Sequence, residues 1–85
     1  MATALEKIKA IRDMILMEIY SDSGILSPEL YFRVKRSVKI ASVEEIQIQI
    51  ADMEKWRAIK REFLSAVNDR FYLTRAGRRM AEKLL

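Results

Sequence analysis

The sequence predicts an α+β domain, mostly helical with one small β-hairpin, and three observations predict it. Apolar residues recur every three or four positions over much of the chain. Helix-start signals stand at Ser27-Pro28, at Ser42-Val43-Glu44-Glu45 and at Thr74. A short aromatic and β-branched run, Arg70-Phe71-Tyr72-Leu73-Thr74, follows the turn-forming stretch Ser65 to Asp69. The 85 residues are 51% hydrophobic and 33% charged, with two Gly and one Pro, which fits a single folded domain over 1–85 without repeat or linker.

Leu5, Ile8, Ile11, Ile15 and Ile19 lay an apolar stripe along a first helix from Thr3 to Tyr20, and Ser21 to Gly24 ends it. Met14, Leu16 and Met17 widen that stripe, as a broad core face or as a surface for a second copy of the chain. Ser27-Pro28 opens a second helix, with Ser as cap, Leu30, Tyr31, Val34 and Val38 inward, and Phe32, Arg36 and Lys39 outward. The capping box at Ser42 starts a third helix over 43–56. Its inner stripe is Val43, Ile46, Ile50 and Met53, and Glu44, Ile48, Ala51, Asp52 and Lys55 point outward with Gln47 at the margin.

From Lys55 to Asn68 the pattern forks. Trp56, Ile59, Phe63 and Val67 keep helical spacing, but the turn residues before Arg70 and the need of a lone strand for a partner favour a hairpin, with Ala58 to Leu64 as its first arm. Thr74 then caps a last helix, with Met80, Ala81 and Leu84 inward and Arg78, Arg79 and Lys83 toward water.

Without Cys or His, thiolate nucleophiles, imidazole bases, disulfides and the usual zinc sites are excluded. The carboxylates lie on exposed helical faces without a pocket and the two Gly are isolated, so no catalytic residues, cofactor or metal site is expected, and the chain reads as no enzyme. No stretch approaches the roughly 20 apolar residues of a membrane span, and Met1 to Ala10 lacks a signal-peptide pattern, so an intracellular, cytoplasmic location is expected.

Net charge is +4, unevenly spread: −1 over 1–24, +3 over 25–41, −3 over 42–56, +1 over 57–69 and +4 over 70–85. Basic segments flank an acidic one, and a chain with this balance favours anionic partners such as nucleic acid.

The order helix, helix, turn, capped helix, hairpin, together with Tyr72-Leu73-Thr74-Arg75-Ala76-Gly77-Arg78-Arg79, resembles the winged helix-turn-helix family. Many of its members end a second wing strand in Tyr-x-Leu-Thr-x-x-Gly before a basic helix. In that comparison Leu73 anchors the strand, Thr74 caps the helix, and Gly77 lets the helix approach the sheet without a Cβ in the way. The resemblance implies three helices, a two-stranded wing and a C-terminal helix. It also implies duplex DNA binding for transcription regulation, with the third helix in the major groove.

The sequence departs from that pattern where it matters most, because the third helix carries Glu44, Glu45, Asp52 and Glu54 against Lys55 alone. Two uses therefore stand side by side. In the first, Arg33, Arg36 and Lys39, then Lys60, Arg61 and Arg70, then Arg75, Arg78 and Arg79 clamp phosphates with Lys55, while Gln47, Ile48 and Ala51 read bases weakly. In the second, the domain is a protein-interaction module anchored through Phe32 and Ile48. A homodimer through residues 5–20 is expected in either case.

Overall fold

The structure, a computed structural model, describes residues 3–85. It is mostly helical with a small three-stranded antiparallel sheet, in the order α1 (Ala4–Ser21), β1 (Ile25–Leu26), α2 (Ser27–Ser37), α3 (Val43–Lys55), β2 (Ile59–Phe63), β3 (Asp69–Leu73) and α4 (Arg75–Glu82). Among the described residues no helix is long and apolar enough to cross a membrane.

Local chemistry sets each helix start. Thr3 caps α1 by accepting from the Glu6 amide at 3.1 Å. The capping box of α3 is complete: the Glu45 amide donates to Ser42 Oγ at 3.1 Å, and the Ser42 amide to Glu45 Oε1 at 2.9 Å. Thr74 Oγ1 accepts from the Gly77 amide to start α4. The start of α2 corrects the expectation. Leu26, not Ser27, is the cap residue, and Ser27 Oγ instead accepts the Asp69 amide at 3.2 Å, tying α2 to β3.

The hairpin reading of 55–68 holds. α3 ends with Trp56 as its cap, one residue short of the expected end, and Arg57 takes a left-handed turn (φ 58°) into Ala58. β2 then pairs with β3 in the register Ile59↔Leu73, Arg61↔Phe71 and Phe63↔Asp69. The third strand was not expected. β1 is two residues long, too short to show a period of two, and pairs Ile25 with Phe71 on the free edge of β3. Gly24 has φ 85°, and an added Cβ there would lie 3.2 Å from the Tyr72 ring.

α1 is the central pillar and packs on α2, α3, α4 and β3. Ile11, Ile15 and Ile19 are fully buried against Leu30, Val34, Ile46, Ile50, Met53 and Phe71. Several sequence expectations about the core need correction. Leu5 lies beyond the core and is exposed. Leu16 is 3% exposed, so the chain's own core uses it rather than a face for a second copy. Val43 is exposed, and the core position on α3 belongs instead to Gln49, which is buried because Arg12 Nε donates to its Oε1 at 2.7 Å. On α4 only Gly77 and Ala81 are buried, while Met80 and Leu84 are exposed.

The seat of α4 explains this last difference. A Cβ on Gly77 would stand 1.9 Å from the Ala58 carbonyl oxygen, so the helix backbone itself lies against the start of β2. Thr74 locks the approach: its amide donates to that same carbonyl at 3.0 Å, and its hydroxyl also donates to the Arg57 carbonyl. So close a seat directs the long side chains of α4 outward.

Candidate nucleic-acid interface

With Ile46, Gln49, Ile50 and Met53 buried, α3 leaves Glu44, Gln47, Ile48, Ala51 and Lys55 exposed along one ridge. Ile48 is 57% exposed. Gln47, Ile48, Ala51 and Lys55 are thus brought together at i, i+1, i+4 and i+8, as their spacing requires.

Two of the four carboxylates on α3 are engaged within the molecule. Lys7 Nζ lies 2.6 Å from Glu45, and this hydrogen bond, followed by the one from the Ser42 amide, lowers the Glu45 carboxyl to about 2 from an ordinary value of 4.5. Arg61 Nη2 lies 2.6 Å from Glu54. Among the described residues, Glu44 and Asp52 alone remain to face Lys55, so the uncompensated charge of α3 falls from −3 to −1.

Arg61, expected on phosphate, is engaged within the molecule as a strut. It also reaches Asp69 at 3.2 Å, its guanidinium lies 5.1 Å from the Phe71 ring centre, and its Nε is a buried donor without a partner. Arg33 is engaged in the same way. It holds Glu29 at 2.8 Å, Asp22 at 3.3 Å and Glu18 at 3.6 Å, and the hydrogen bond it donates to Glu29 raises its guanidinium above its ordinary value. Its charge fastens α1 to α2.

Among the described residues, the other cations expected on phosphate form no ion pair. Arg36 lies 5.5 Å from the Phe32 ring centre, and Arg36, Lys39, Phe32 and Lys55 are all exposed. The pleat of the hairpin places Lys60 and Arg70 with Tyr72 on one face and Arg61 with Phe71 on the other. Arg70 Nη1 donates to the Gly24 carbonyl at 2.9 Å. Arg75, Arg78 and Arg79 stand exposed along α4.

Sequence reasoning missed several parts of this surface. Lys7 and Arg12 act on α3 from α1, and Arg12 also lies 4.4 Å from the ring centre of Trp56, which is 52% exposed at the end of α3. Lys35 Nζ donates to the Lys39 and Ala41 carbonyls and so holds the turn between α2 and α3. The hairpin tip exposes Phe63, Leu64 and Val67, a cluster that three apolar residues beside a predicted turn could have signalled.

The chain matches no family model, no curated protein and no solved structure. Among the described residues, no group of three or more acidic side chains is placed to hold a metal ion.

Proposed function

We propose that this is a winged-helix protein that binds duplex DNA largely through phosphate contacts, as a small transcriptional regulator. The observation that carries the reading is the internal engagement of Glu45 by Lys7 and of Glu54 by Arg61, which removes half of the carboxylate charge that would oppose α3 entering a groove. The element order, with a hairpin after α3 and a helix seated through Gly77, supports the winged-helix assignment. In this reading Gln47 pairs with adenine and Ile48 meets a thymine methyl, while Lys55, Arg36 and Lys39 take phosphates.

Fluorescence anisotropy with mixed-sequence duplex, from about 50 to 200 mM salt, tests it. Three phosphate contacts give a log–log salt slope of about −3, and Arg36→Glu with Lys39→Glu removes most of that dependence together with the affinity. Absence of binding at the lowest salt overturns the reading. The exposed tip residues Phe63, Leu64 and Val67, with no cation between Glu62 and Asp69, favour a second reading, a protein-interaction module that also uses Phe32 and Ile48. That module keeps partner binding in the Arg36/Lys39 variant and loses it on Ile48→Glu.

A further inference from the structure

We propose that the end of α3 holds a nucleotide whose base is unpaired, with the base stacked on Trp56 and a phosphate taken by Arg57. This goes beyond the duplex reading and does not depend on it, because a base inside a duplex is already stacked and cannot offer its face.

Trp56 is the single tryptophan of the chain and is 52% exposed. Arg12 covers part of the ring, with its guanidinium 4.4 Å from the ring centre. Arg12 is itself fixed, since its Nε donates to Oε1 of the buried Gln49 at 2.7 Å. The indole is therefore backed and oriented from within the molecule, while half of its surface stays open to a flat partner. Such a preset platform loses little side-chain freedom when a base stacks on it.

The next residue supplies charge in an unusual way. The Arg57 amide donates to the Glu54 carbonyl at 3.0 Å and the Ala58 amide to the Met53 carbonyl at 2.9 Å, the two bonds that close a helix through a left-handed residue. Glycine ordinarily takes that place. Here it is an exposed arginine with φ 58°, and among the described residues no other non-glycine has a positive φ. A helix C-terminus favours a cation, but Lys55 in the last turn already supplies one. The long side chain of Arg57 thus answers a need that neither the turn nor the helix end creates.

The surrounding charge fits an anion. Of the nearby carboxylates, Glu54 is held by Arg61 and Asp13, beside Arg12, by Lys9, which leaves the half-buried Asp52 one turn before Trp56. Thr74 donates to the Arg57 carbonyl and so brings the start of α4, with Arg75, beside the turn. An aromatic plane with cations at its rim is the combination that takes the bases and phosphates of a single strand. Lys55 and Arg75 also serve the duplex reading, so neither is varied in the test.

A labelled oligo(dT) of about ten nucleotides, followed by anisotropy with Trp56 emission read in the same titration, tests the idea. Wild-type emission is expected to fall as the strand binds. Trp56→Leu should weaken binding about tenfold and Arg57→Gly about threefold, while duplex affinity changes less than about twofold in both. Because glycine suits φ 58°, Arg57→Gly keeps or raises the melting temperature, which separates a ligand role from a structural one. Trp56→Phe keeps a ring on Arg12 and gives an intermediate loss, so the test stands even where Trp56→Leu unfolds by circular dichroism.

Full affinity in Trp56→Leu or in Arg57→Gly overturns the proposal, as does a wild type that binds no oligo(dT). Equal loss of single-strand and duplex binding in Trp56→Leu also overturns it, because the ring then belongs to the duplex surface. Thymidine monophosphate separates the two sources of the ligand: quenching at a concentration comparable to the strand assigns the site to a free nucleotide, and quenching by the oligonucleotide alone assigns it to a strand. A wild type that binds oligo(dT) but no duplex refutes the duplex reading and leaves this one standing.

Discussion

Helices α3 and α4 carry opposite charge and are held by opposite means. α3 is fixed by large side chains, Ile46, Ile50 and Met53, and by ion pairs that draw Glu45 and Glu54 into the molecule. α4 is fixed by Gly77 and Ala81, small residues that bring its backbone onto Ala58, and among the described residues its arginines form no ion pair. The contrast shows that helix charge alone is a poor guide to a binding face. What counts is whether the rest of the chain has already engaged that charge.

The largest expected effect comes from unseating α4. Gly77→Ala forces a methyl group into a backbone carbonyl, so the unfolding free energy should fall by about 3 kcal/mol, the upper end of usual overpacking costs. On α3 the exposed Ala51→Gly costs only about 1 kcal/mol, from propensity alone. Urea denaturation followed by circular dichroism compares the two, and equal losses would show that α4 is not held by close backbone approach.

The next effect tests charge engagement on α3. Arg61→Ala leaves Glu54 and the half-buried Asp69 without their cation and should cost roughly 1–2 kcal/mol. If Glu54 is masked by Arg61 as proposed, the same variant weakens DNA binding although Arg61 touches no phosphate. Adding Glu54→Gln should then restore most of the affinity but not the stability. A direct phosphate role for Arg61 predicts no rescue.

These particulars also show what the sequence made legible. Ser42 and Thr74 cap their helices through hydrogen bonds three residues away, so local reading located them. Gly77 was expected to permit close approach for the reason the structure displays. Lys7 with Glu45 and Arg12 with Gln49 were invisible, because each joins α1 to α3 and depends on packing between helices distant in sequence. Met80 and Leu84 were assigned inward because a Gly and Ala seat carries almost no hydropathy signal beside two larger apolar residues. Similarly, Val43 outweighed Gln49 in hydrophobic pattern, while an arginine partner supplied by α1 decided which of the two is buried.

The smallest effect isolates the Lys7–Glu45 pair. Its folded carboxyl is held at about 2, below the ordinary 4.5, so the unfolded chain takes up this proton first as pH falls. The contribution of Glu45 to stability is therefore complete above about 4.5 and disappears as pH drops toward about 2. Glu45→Gln should lower stability at neutral pH and flatten the decline across that window, while Lys7→Met should lose the part due to the ammonium and keep the part due to the Ser42 amide. Thermal melts at half-unit pH steps read both. If the three profiles run parallel, the pair adds nothing to folding, and Glu45 returns to the count of carboxylates that α3 would carry into a field of phosphates.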